Sequence, residues 1–197
     1  MENQDKKRVI IIEAALKRFA HYGLSKTTMS EIAKDISLSK ALLYYYFPDK
    51  ISLYVSTMEY LMQKISRETV KSIDKASTAT EAVLKLLQKR QTYIQKYYNL
   101  FESSLNIGSD LPDDLYDKFA KAKAFEKIII NSLLTRGVAN NELVIEDPKI
   151  ATEIFIDAIS GIHFNILAKD KSIFPGKDQF KEIFHKEKVC AAIDVSA

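Results

Sequence analysis

The chain has 197 residues, 47% of them hydrophobic and 28% charged, which is too apolar for a disordered protein and ordinary for a globular one. Five glycines and four prolines hardly supply a turn roughly every 8–12 residues, so an all-β architecture is disfavoured and an all-α one expected. The net charge of +3 lies wholly in residues 1–50, where nine Lys/Arg meet six Asp/Glu. Such an excess suits a polyanion partner without requiring one.

The single cysteine, Cys190, excludes an intrachain disulfide and is consistent with a reducing compartment. The opening MENQDKKR is too charged for a signal peptide, and no run approaches the roughly 20 apolar residues that span a bilayer. A cytoplasmic protein without membrane contact is expected.

Val9, Ile12, Leu16 and Phe19 recur at helical spacing and predict a first helix over about Asp5 to Tyr22, closed by Gly23. Thr28 and Glu31 form a capping box that opens a short helix over Met29 to Ile36, with Met29, Ile32, Ala33 and Ile36 inward. Ser37 and Leu38 make a turn. Ser39 caps a second short helix, Lys40 to Phe47, and Asp49 caps a fourth after Pro48. Such a pair fits helix–turn–helix recognition, in which the second helix enters the major groove. Lys40 is the only long basic donor at its leading end. Tyr44, Tyr45 and Tyr46 occupy three consecutive positions and cannot all point inward.

The pattern Gly23-x3-Thr27-Thr28-x2-Glu31-Ile32-Ala33, then Leu38-Ser39-Lys40-x2-Leu43-Tyr44-x-Tyr46-Phe47-x2-Lys50, resembles the DNA-binding domain of TetR-type (tetracycline-repressor-like) transcription regulators over about residues 8 to 66. The resemblance implies that Thr28, Ser39, Lys40, Ala41, Tyr44, Tyr45 and Lys50 face double-stranded DNA. Leu38, Leu43 and Phe47 would pack the helix pair, and Tyr46 suits either role. Leu42 stands where the family often has a smaller or polar residue. It can meet a thymine methyl or pack inward.

Beyond Lys50 the periodicity predicts a helical body. Apolar positions from Leu53 to Val70 mark a long helix to about Lys75. Thr78 and Glu81 open a helix that runs to about Phe101–Asn106. Another runs from Leu115 and stops at Gly137. Asp147-Pro148 starts a helix to Lys169, and Pro175-Gly176 precedes a last one. The expected architecture is about nine helices: a helix–turn–helix domain over 1–50 and a ligand-binding and dimerisation domain over 51–197.

Tyr93, Tyr97 and Phe101 share one helix face, and Phe125, Phe155 and His163 come from later helices that can face them. The resemblance implies a pocket for a small-molecule effector among the middle helices. It also implies a homodimer through the last two long helices, with Ile159, Gly161, Ile162, Ile166, Phe180 and Phe184 at the interface. The helix from Pro148 is apolar on more than one face, which requires cover on several sides. A near-palindromic operator and ligand-responsive repression follow from such a dimer.

Enzyme readings have little support. His21, His163 and His185 lack partners at metal-ligand spacing, and there is no glycine-rich phosphate loop or nucleophile elbow. No cofactor, metal or catalytic residue is expected. The rival expectation is a helical adaptor or small-molecule carrier that keeps the fold without specific DNA binding.

Overall fold

The helix starts follow from side chains that satisfy the orphan N–H groups of a first turn. The computed structural model describes residues 2–107 and 113–168, with side chains placed over 5–103 and 115–162. Among the described residues there are eight helices: α1 (Glu2–Tyr22), α2 (Met29–Asp35), α3 (Lys40–Tyr46), α4 (Lys50–Ile73), α5 (Ala79–Lys96), α6 (Tyr98–Ile107), α7 (Asp113–Ala139) and α8 (Pro148–Ala168). The fold is all-α, as composition indicated.

The expected caps are in place. Gly23 adopts a φ of 76° and its N–H reaches Phe19 O at 2.9 Å, ending α1. Thr28 and Glu31 form the full capping box of α2. Asp49 accepts from Ser52 N at 2.6 Å to open α4, and Asp147 accepts from Lys149 N at 2.8 Å behind Pro148 to open α8. At α5, Thr78 Oγ1 accepts from Glu81 N, but the Glu81 carboxylate takes the N–H of Ser77 rather than that of the cap residue.

Three expectations about elements need correction. The helix expected to run unbroken from Thr78 past Phe101 is two, α5 and α6, separated at Tyr97. Neither glycine nor proline marks the break. Tyr97 is buried, and its carbonyl accepts from both Leu100 N and Phe101 N. Gly137 does not stop α7. Asn141 does, at a φ of 57°, with Glu142 N donating to Gly137 O and Asn141 N to Val138 O. Gly137 is there for space: a Cβ on it would lie 2.8 Å from Ala79 Cβ and 2.5 Å from Leu143 Cδ1. On α1, Val9 is exposed, while Ile12, Leu16 and Phe19 are buried as expected and Ile11 and Ala15 join them.

The chain forms two compact units, Met1–Arg67 with Tyr93–Lys118, and Glu68–Thr92 with Phe119–Ala197. The first therefore extends past the boundary expected at residue 50. Its interior holds Ile11, Phe19, Leu43, Phe47, Tyr54 and Leu100, and the rings of Phe19 and Tyr54 meet edge-on at 5.5 Å. The second is built on Val83, Leu86, Ile130, Leu134, Leu143 and Ile156.

Candidate nucleic-acid interface

The first unit presents α3 as a helix with one anchored face and one open face. Leu43 and Phe47 are buried, and Arg8 stacks its guanidinium 4.5 Å from the Phe47 ring centre. On the other side Lys40, Ala41, Tyr44 and Tyr45 are exposed, at positions that share one face of a helix. Tyr45 is 71% exposed and Tyr44 40%. The Lys40 ammonium lies 5.8 Å from the Tyr44 ring centre, a cation–π distance that aligns both on the open face. Leu42 and Tyr46 are half-buried at the flanks, and Tyr46 meets the Tyr45 ring edge-on. Ser39 is exposed, and its hydroxyl accepts from Leu42 N at 3.2 Å. The turn before it places Ser37 at a φ of 53°, a left-handed conformation that a side chain tolerates at some cost.

Two expected contacts are occupied within the chain. The Thr28 hydroxyl donates to Glu31 Oε2 at 2.8 Å while accepting from Glu31 N, so a phosphate would compete with a carboxylate for its proton. Lys50 is half-buried, and its ammonium donates to Leu24 O at 2.8 Å and Thr27 O at 3.1 Å. It thereby ties the start of α4 to the loop between α1 and α2. A DNA contact by Lys50 would have to replace these two hydrogen bonds.

The supports of the helix pair were not apparent from the sequence. Arg18 on α1 grips Asp35 at the end of α2 as a fork, Nε to Oδ2 at 2.6 Å and Nη2 to Oδ1 at 2.8 Å, and also lies 3.5 Å from Glu31. The hydrogen bond from Arg18 holds the Asp35 carboxyl below its usual range, with the guanidinium charge adding to it. Glu31 is also lowered, first by the hydrogen bonds from Thr28 and then by Arg18. From α6, Asn99 donates to Ala20 O and His21 O, and Ser103 Oγ accepts from Leu24 N. These partners are 78 or 79 residues apart, and no local pattern announces them.

The residues expected around an effector divide between the units. Tyr93 and Tyr97 are buried in the first, their rings stacked at 6.2 Å, and Phe101 is half-buried near them in sequence. Phe125 and Phe155 belong to the second, where Phe125 is exposed and Phe155 packs on the hydrophobic core. The side chain of His163 lies outside the described residues.

Of the expected interface residues, Ile159 is buried in the core of its own unit, because α8 turns that stripe inward. Gly161 is exposed with open space where a Cβ would stand, and Ile162 is half-buried. The side chain of Ile166 and the residues Phe180 and Phe184 lie outside the described residues. The outward stripe of α8 is Ile150 and Ile154, 60% and 65% exposed, followed by Ala158 and Gly161.

A capped helix pair, locked from behind and offering a basic and aromatic face in front, defines the helix–turn–helix class on an all-α scaffold. Residues 11–57 match the family described as bacterial regulatory proteins, tetR family. It is 33% identical over 103 residues to the uncharacterised HTH-type transcriptional regulator YuxN of Bacillus subtilis, covering 52% of this chain and 35% of the relative. The chain spans between 35% and 40% of the length of three curated relatives that it matches. Among solved structures it is similar to a transcriptional regulator from Cytophaga hutchinsonii, 27% identical with a TM-score of 0.78 over 94% of both chains. It also shares its fold with the regulator FadR from Bacillus subtilis in complex with stearoyl-CoA, 18% identical with a TM-score of 0.68 over 96% of this chain and 99% of that one. No described helix is long and apolar enough to cross a membrane.

Proposed function

We propose that the chain is a ligand-responsive repressor that binds a near-palindromic DNA operator as a homodimer. The observation that carries this reading is the open face of α3, where Lys40, Ala41, Tyr44 and Tyr45 stand clear while Leu43 and Phe47 anchor the helix. Lys40 reaches a guanine edge or a phosphate, Tyr44 and Tyr45 offer phenol hydroxyls to the backbone, and Ser39 presents a helix N-terminus. Half-buried Leu42 borders this face and can meet a thymine methyl.

The exposed Ile150 and Ile154 support a second copy as the cover of α8. Two reading helices about 34–36 Å apart would meet successive major grooves on one side of B-DNA. Repression follows from occupancy of a promoter by such a dimer. Buried Tyr93 and Tyr97 support an aromatic wall for a small effector, and the structural relative that holds stearoyl-CoA supports the expectation that an effector exists. The effector would act by binding the two head spacings with different affinity.

Replacing Lys40 with alanine is expected to weaken operator binding roughly 5- to 150-fold, the loss of about 1–3 kcal/mol for one good base contact. Circular dichroism and solution mass should not change. Unaltered affinity in a gel-shift titration would remove Lys40 from the interface.

A further inference from the structure

A second feature of the first unit lies apart from the reading face and borders the tyrosine stack, sharing Tyr97 with it. α1 and α4 run in the same direction in register: Arg8 meets Ser56 at 3.2 Å and Tyr60 donates to Glu13 at 2.6 Å. Four residues beyond the Glu13–Tyr60 pair, about one helical turn, stand Lys17 on α1 and Lys64 on α4. There the two helices part around a cleft of about 480 Å³, lined by Glu13, Leu16, Lys17, Ala20 and His21 from α1, Tyr60 and Lys64 from α4, and Lys96 and Tyr97 at the end of α5. Its size lies within the usual range for small-molecule sites.

The charges are arranged along its length. Glu13 and His21 are eight residues apart on one helix, about 12 Å at the usual rise. Glu13 occupies one end, where it accepts the hydrogen bond of the Tyr60 hydroxyl. Beyond it come Lys17 and Lys64, then His21 and Lys96. None of the three lysines has an ion pair with a described residue, and the Lys96 ammonium lies 5.4 Å from the centre of the Tyr97 ring. Leu16, Ala20 and Tyr97 supply an apolar floor. Three ammonium groups around a concave floor raise the local potential, which an anion relieves.

We propose that this cleft between α1, α4 and the end of α5 is a binding site for a small organic anion, a phosphate or carboxylate on a compact apolar body. The anionic head sits among Lys17, Lys64 and Lys96, away from Glu13, and the body lies on Leu16, Ala20 and Tyr97. The site touches the same helix, α1, that Asn99 holds from α6, so occupancy fastens α1 to α4 and α5. The inference concerns ligand binding and does not depend on the DNA-binding reading.

Phenyl phosphate and benzoate, which share a body and differ in the head, are the probes. Isothermal titration calorimetry on the full chain is expected to show one-site binding of at least one of them. Lys64→Gln and Lys96→Gln should each weaken that binding about tenfold or more, while Lys123→Gln on the second unit should not. The lysines are at the surface, so thermal melts of the variants should overlay the parent. Absence of binding by both probes, or binding indifferent to Lys64 and Lys96, would overturn the proposal. So would a loss of DNA affinity in ligand-free Lys17→Gln/Lys64→Gln/Lys96→Gln with a shallower salt dependence, because the lysines would then serve a DNA backbone instead.

Discussion

At the residue scale, the helix pair depends on a short chain of charged hydrogen bonds. Arg18 holds Asp35, also approaches Glu31, and Glu31 completes the Thr28 cap. The Thr28–Glu31 half was legible because a capping box is a local spacing. The Arg18 half was not, because it depends on where α1 and α2 come to lie. Lys50 shows the same division. Its position beyond Pro48 matched the family pattern, but only the folded loop reveals the two carbonyls that take its ammonium. The lowered Asp35 and Glu31 carboxyls give a signed pH dependence. A carboxyl whose folded-state pKa is depressed stabilises the native state above its unfolded pKa, and that contribution is lost as pH falls through the folded value. Acid should therefore loosen α2, modestly because both groups are exposed to solvent. Asp35→Asn should flatten the acid limb of a melting-temperature profile in low salt. A profile identical to that of the parent would contradict this role.

At the element scale, helix existence was readable from periodicity and helix ends less so. The glycine at 137 fell at the end of an apolar stripe and resembled a stop. The chain instead turns at Asn141, and the glycine admits Leu143 and Ala79 against the helix. Adding a methyl group there improves helix propensity by about 1 kcal/mol but forces contacts that commonly cost about 1–3 kcal/mol in a packed interior. Gly137→Ala should thus destabilise the protein by up to about 2 kcal/mol in urea titrations. Equal or greater stability would show that Leu143 moves aside freely. The break at Tyr97 left no sequence signal, since neither glycine nor proline stands there.

At the scale of the whole molecule, the helix α8 carries two apolar stripes. One, with Ile156 and Ile159, completes the core of its unit. The other, with Ile150 and Ile154, is open. The sequence showed that the helix needs cover on several sides, but could not say which stripe the chain itself covers, and Ile159, expected at the interface, is buried in the core of its own unit. A dimer through the open stripe should be split by Ile154→Glu, which places a charge where apolar surface would close. Analytical ultracentrifugation should report twice 22.4 kDa for the parent and a shift to 22.4 kDa for the variant. A parent already at the monomer mass would remove the dimer.

The central claim is that α3 reads DNA, and selection of bound fragments from a random double-stranded library tests it most directly. The parent chain should enrich a near-palindromic site whose half-sites are centred about one helical turn, or a multiple of one, apart. The Lys40→Ala chain, folded and of the same solution mass, should enrich it weakly or lose the preference at the base pair that Lys40 meets. Enrichment of no sequence by the parent, or of the same sequence with equal strength by both chains, would contradict the account.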